Sequence, residues 1–286
     1  MEIDEALQDH FFPPKPELPM RGRLHQHPSA VPLTKEEIAA ALAKSSPPSA
    51  PGPDGVPYSV WKRVNTTNPS LLLDLLAPLV AFGYHPTTLK HANGVVLDKP
   101  WKPSYDTPAF FRIIVFLKTI SKILERILTV WLTSLARQAG LLHTNQGGYL
   151  PGFSTSDAVA TLTHEVRTLQ RPLLKVSTLY LDIKAGFDNV NATKLRALFL
   201  SKNVPSYMVD WVSPFHTGRR CTQVFQGAPG ISAPVSVGTH QGSPLSPLLF
   251  LIYVAPLHVP IPTGIMVSYV DDFSLTVGSM SHRSNI

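Results

Sequence analysis

Ile265-Met266-Val267-Ser268-Tyr269-Val270-Asp271-Asp272-Phe273-Ser274-Leu275-Thr276-Val277 reads as two apolar runs folded back on each other, with an acidic pair at the bend. A third run, Val176 to Leu181, ends in Asp182. Adjacent like charges at a tight turn repel, and Asn-Gly or Asp-Gly would make the better two-residue hairpin, so a positive partner is expected to compensate. A pair of hard divalent cations fits that need. Mg2+ takes one or two protein carboxylates and completes its shell with phosphates and water, and two such ions stabilise the attacking and leaving oxygens of an in-line phosphoryl displacement. Any one Asp after a strand also serves as a turn or cap residue, so the convergence of several carries the reading.

The surrounding pattern is that of a mixed α+β chain. Thr34 and Glu37 have capping-box spacing before a short helix to about Lys44, and Ala50-Pro51-Gly52-Pro53-Asp54-Gly55 is a sharp loop. Helices are expected over Leu71 to Phe82, Lys118 to Arg137, Ser156 to Leu169, Ala192 to Lys202 (capped by Asn191) and Pro244 to Ala255. In the second of these, Ile120, Ile123, Leu124, Ile127, Leu128, Trp131 and Leu135 form one apolar face. Gly94 to Lys99 and Arg112 to Leu117 are strands around a loop, and the cations Lys99, Lys102 and Arg112 there are placed to close over phosphates. Arg220 to Phe225 and Ile231 to Val237 alternate as a hairpin around Gly227 to Gly230.

Composition bounds the answer. A chain of 286 residues, 44% hydrophobic, suits one large domain or two joined lobes. Lys and Arg number 25 against 19 Asp and Glu, a net +6 that suits a polyanionic partner. The single Cys221 excludes an internal disulfide framework and a Cys-based zinc site. Met1 to His10 is acidic rather than a signal sequence, and the longest apolar stretch, Leu245 to Leu257, contains two prolines and falls short of the roughly 20 residues of a membrane span. An intracellular protein that does not cross a membrane is expected.

LDIKAGFDNV (Leu181 to Val190), QGSPLSPLLFLIY (Gln241 to Tyr253) and YVDD (Tyr269 to Asp272) resemble the central motifs of reverse transcriptases, those of non-LTR (LINE-type) retrotransposons above all. APGPDGVP (Ala50 to Pro57), VVLDKPWKP (Val95 to Pro103) and QGGYLPGFSTSDA (Gln146 to Ala158) resemble the fingers motifs of the same family, in the same order, and the likeness runs from about Phe11-Phe12-Pro13 to the end. The resemblance implies a right-hand polymerase with fingers and a ferredoxin-like palm, an antiparallel sheet with packed helices. Residues 1–44 would form an N-terminal extension, 45–174 a fingers-like region and 175–286 the palm core. It implies RNA-directed DNA polymerisation on an RNA template and DNA primer with dNTPs and two Mg2+ ions, Mn2+ substituting. By the same resemblance Asp182, Asp271 and Asp272 are catalytic and hold the metals. Lys99, Arg112, Phe187 and Gln241 bind the nucleotide, Phe187 excluding a 2'-hydroxyl, while Gly242, Ser243 and Pro244 support the template and primer. On sequence alone Phe187 reads equally well as a buried core residue, and Asp188 as an acid organising a turn rather than a ligand.

The chain departs from the family pattern. Leu150 and Phe153 stand where Arg is usual, Ile113 and His240 where Pro is usual, and Ala185-Gly186 inverts the common small-residue order. Only Ser274 to Ile286 follow the acidic pair, where the family continues with a primer grip and thumb. The expectation is a piece truncated after YVDD, its thumb missing, that binds nucleic acid weakly and does not extend a primer by itself. A catalytically silent retroelement relic with residual nucleic-acid binding is the alternative. Phe187 and the QGSPLSP stretch disfavour an RNA-dependent RNA polymerase or a cyclase.

Overall fold

The computed structural model describes residues 27, 30–46, 49–170, 174–235 and 238–280, so the Phe11-Phe12-Pro13 start of the resemblance lies outside the described residues. Helix starts follow local chemistry. At Lys35–Ala43 the Glu37 N–H donates to the Thr34 hydroxyl at 3.2 Å while the Thr34 N–H donates to the Glu37 carboxylate at 3.0 Å, the expected reciprocal cap. Ser154 and Asp157 repeat it at Thr155–Leu169, and the Asn191 side chain accepts from the Lys194 N–H at Ala192–Ser201. The long helix is Thr119–Gln138, and its stripe of Ile120, Ile123, Leu124, Ile127 and Leu128 is buried. That stripe packs into a core shared with Trp211, Phe215, Leu249 and Phe250. Tyr58–Thr67 and Ser206–Phe215 are helices that the sequence reading did not anticipate.

Two four-stranded sheets carry the rest. The first has the order β2-β1-β5-β6, with His91–Asp98 (β1), Phe111–Phe116 (β2), Arg219–Phe225 (β5) and Ala228–Val235 (β6). Its outer pairs are antiparallel and β1 runs parallel to β5. The second has the order β3-β7-β8-β4, with Gln146–Gly147 (β3), Lys175–Asp182 (β4), Gly264–Tyr269 (β7) and Asp272–Ser279 (β8). β8 runs antiparallel to both of its neighbours, β7 and β4, and β3 joins β7 in parallel.

Several boundaries differ from expectation, and β1 begins at His91, three residues before the expected Gly94. The β5–β6 hairpin turns on Gln226 (φ 50°) and Gly227 (φ 80°), a two-residue turn with both positions left-handed, so Ala228 to Gly230 belong to the strand. Val237, at the end of the expected strand, lies outside the described residues. The apolar helix begins at Ser246 rather than Pro244, with Pro247 in its first turn, where a missing N–H costs nothing. Among the described residues no helix is long and apolar enough to cross a membrane.

Candidate active site

The register of the second sheet decides what meets what. β4 pairs with β8 so that Asp182 lies opposite Asp272, and the Ile183 N–H donates to the Asp271 carbonyl at 3.2 Å. Asp271 itself occupies the β7–β8 turn with Val270, one residue before the strand. Val270 has φ 58°, a left-handed conformation that a β-branched residue adopts only at a cost. Among the described residues no hydrogen bond or ion pair reaches the carboxylates of Asp182, Asp271 or Asp272, and no three or more His, Cys, Asp or Glu side chains are gathered closely enough to hold a metal ion by themselves. Like charges opposite each other in a ladder are destabilising. Unpartnered acids so placed, open to solvent, fit hard cations that keep most of their shell for water and phosphate.

Beside this turn lies a cleft of about 520 Å³ lined by Tyr149, Phe187, Gln241, Gly242, Ser243, Asp271 and Asp272, among others. Asp182, Pro244, Lys99 and Arg112 are not part of its lining. The Phe187 ring also stacks on buried Phe250, centroids 4.8 Å apart at 21°, so one face serves the core and the side chain still borders the cleft. Gly186 is where it is because a Cβ there would meet the Phe250 ring at 2.7 Å, whereas Ala185 takes φ 52°. The inverted small-residue order therefore gives ring space priority over backbone ease.

Residues 238–243 strap the first sheet to the segment that follows β4. Gly238 N–H donates to the Val190 carbonyl at 3.2 Å, Thr239 N–H to that of Phe187 at 2.8 Å, and Val115 N–H in β2 to that of Gln241 at 3.2 Å. Gly242, at φ 111°, sits against the Val115 carbonyl with no room for a side chain. Ser243 is buried, and its hydroxyl oxygen accepts from the Leu245 and Ser246 N–H groups at 3.1 and 3.3 Å. That hydroxyl donates to Glu125 at 2.6 Å, and the Ser121 hydroxyl donates to the other Glu125 oxygen at 2.6 Å. Glu125 is fully buried on helix Thr119–Gln138. Sequence reading missed it; the available signal was a lone acid beside Leu124 on the apolar stripe.

His240, one residue before the strap's Gln241, is buried near His85, His216 and Arg219. Burial, then the charges of Arg219, His216 and His85, push its pKa well below the usual histidine value. Burial likewise pulls Arg219 down to about 10, against which the Glu125 carboxylate pushes it up. Leu150 packs partly buried on the main core, and the Phe153 ring fills the space over Gly147 in β3. Ile113 fills the first sheet's core over Gly94. Lys99 donates through Nζ to the Ala109 carbonyl at 2.9 Å, and Arg112 is exposed on β2 opposite Leu97.

A sequence model described as "Reverse transcriptase (RNA-dependent DNA polymerase)" matches residues 101–286. The chain is 26% identical over 247 residues, 85% of its length and 27% of the relative's, to the "Probable RNA-directed DNA polymerase from transposon X-element" of Drosophila melanogaster. It is also 26% identical over 259 residues, 87% of its length and 28% of the relative's, to the "Probable RNA-directed DNA polymerase from transposon BS" of that species. With the "Retrovirus-related Pol polyprotein from type-1 retrotransposable element R2" of Nasonia vitripennis it shares 22% identity over 219 residues, 77% of its length and 20% of the relative's. The chain thus spans about a quarter of the length of these relatives. Six ordered motifs and a match reaching from the β1–β2 loop through the acidic turn lead to one conclusion: the chain belongs to the reverse transcriptase family and is related to the enzymes of non-LTR retrotransposons.

Proposed function

We propose that this chain is the fingers and palm of an RNA-directed DNA polymerase that adds dNTPs to a DNA primer on an RNA template inside the cell. The observation that carries the reading is the β4–β8 register, which sets Asp182 opposite Asp272 with Asp271 at the adjoining turn, all three acids being without partners among the described residues. Asp182, Asp271 and Asp272 would hold two divalent cations, Mg2+ or Mn2+, which when bound stabilise the attacking and leaving oxygens of nucleotidyl transfer. The chain's own residues do the positioning. Gln241 and Gly242 offer backbone at the cleft to the nascent pair, Ser243 and Pro244 fix the helix behind it, and Lys99 and Arg112 supply charge for the triphosphate.

Mn2+ titration followed by electron paramagnetic resonance tests the metal reading without requiring turnover. Wild-type protein binds Mn2+, and Asp182→Asn with Asp271→Asn abolishes it; equal binding by the double variant would remove these residues from the site. A silent relic remains the second reading, and Leu150 and Phe153 favour it, because both apolar side chains point into packing where a template-contacting Arg would reach for phosphate. Template-directed dNTP incorporation by the purified chain, lost in Asp271→Asn, would reject it.

Phe187 has a separate expected outcome. In a form of the protein that extends a primer, Phe187→Val raises ribonucleotide relative to deoxynucleotide incorporation roughly 10- to 200-fold, the range that one steric contact provides. Unchanged discrimination with deoxynucleotide activity intact would assign the ring to its stack on Phe250 alone.

A further inference from the structure

Trp101 is 97% exposed, the most exposed large apolar side chain among the described residues, and its backbone is left-handed at φ 65°. It stands in the β1–β2 loop between Pro100 and Lys102, with Pro103 next. The loop around it is braced. The Tyr105 hydroxyl donates to the Lys99 carbonyl at 2.8 Å and its ring packs on Phe111, centroids 5.7 Å apart. The Lys99 N–H donates to the Phe110 carbonyl at 2.8 Å, and Lys102 Nζ lies over the Phe110 ring at 5.9 Å. A well-held loop that presents an indole to water has no evident role in folding.

We propose that Trp101 is a stacking platform for an unpaired base of the nucleic-acid strand that approaches the cleft. An aromatic face takes any base, and the adjoining Lys102, with Lys99 and Arg112, supplies the positive charge that tracks a phosphate backbone. The placement suits a strand ahead of the reacting pair. β2 runs from Phe111 at the loop to Val115, which holds the Gln241 carbonyl of the cleft strap. The four residue steps from Phe111 to Val115 span about 13 Å at roughly 3.3 Å each, the length of about four stacked nucleotides. Because the loop is already braced, stacking orders little that is not ordered beforehand.

The inference rests on the nucleic-acid reading of the cleft, and tryptophan fluorescence separates the two. Trp211 is buried and Trp61 and Trp131 are partly buried, their indoles donating to Thr119 and Glu37, so Trp101 is the most accessible of the four to a ligand in solution. At fixed low salt a single-stranded 12-nucleotide RNA quenches the wild-type emission, a blunt duplex of the same sequence does so less, and Trp101→Ala abolishes the quench. Affinity for the single strand falls roughly 5- to 150-fold in Trp101→Ala, the equivalent of one stacked base, and Trp101→Phe keeps part of it. The melting temperature of both variants stays at the wild-type value, since nothing packs on the ring. RNA bound equally by wild type and Trp101→Ala without quenching overturns the platform and leaves the polymerase reading standing. Absence of RNA binding to either protein overturns both. Stronger quenching by phosphatidylserine vesicles than by RNA would make the loop a membrane contact and also overturn the proposal.

Discussion

Glu125→Ala destabilises the protein by about 3–5 kcal/mol, the scale on which removing one member of a buried charged network is felt. The acid is fully buried, its two oxygens take the Ser121 and Ser243 hydroxyls at 2.6 Å, and it opposes the buried guanidinium of Arg219. Truncation therefore leaves two hydroxyls unpaired, a hole, and Arg219 without its counter-charge. Glu125→Gln keeps the shape and one acceptor and loses less, about 1–2 kcal/mol. Urea unfolding at pH 7.5 measures both. Hydrogen exchange adds a local readout, because the Leu245 and Ser246 amides are held by the Ser243 oxygen that Glu125 orients. They exchange faster in Glu125→Gln at conditions where the fold is intact. Wild-type urea stability in Glu125→Ala would show that the network contributes nothing net.

What could be read from the chain, and what could not, follows the range of the interaction involved. The β7–β8 turn and the strand ending in Asp182 were legible because a sheet side chain repeats every two residues, and a one-residue slip would turn Val267 and Phe273 out of the core. Caps were legible at Thr34 and Asn191, where donor and acceptor are three residues apart. The Ser243–Glu125 bond was not, since it joins residues 118 apart and only the fold brings helix and strap together. The parallel pairing of β1 with β5 was hidden for the same reason. Helices at Tyr58–Thr67 and Ser206–Phe215 were obscured by proline, which precedes both and sits inside the last turn of the second as Pro214. Phe187 was read as nucleotide contact or core; its ring stacks on Phe250 while bordering the cleft, so the two readings are not exclusive in space.

Stability should fall steeply as pH drops from 6.5 towards 4, enough to unfold the chain in mild acid. Four buried histidines hold depressed pKa values. Burial brings His216 to about 4, with Arg219 adding to it against the helping Val212 carbonyl. His258 is brought to about 4 by burial, then by His143 stacked on it at 4.5 Å. His85 and His240 are depressed by burial and then by Arg219, with Lys90 also acting on His85 and the other two histidines on His240. Above pH 6.5 neither the folded nor the unfolded chain holds these protons, so the four are without effect. Below it the unfolded chain takes protons that the fold refuses, and stability drains until the folded pKa near 4 is reached. For His216 alone the full loss is about 3 kcal/mol, a large share of the roughly 5–15 kcal/mol that holds a domain together. Urea unfolding between pH 7.5 and 4.5 measures the slope, to which each refused proton contributes about 1.4 kcal/mol per pH unit. His216→Gln and His240→Gln should each lower that slope by up to one such increment. A slope untouched by both substitutions, or stability flat down to pH 4.5, would mean that the cluster takes up protons without unfolding, through water reaching the buried ring nitrogens of His85, His216 and His240 that lack partners among the described residues.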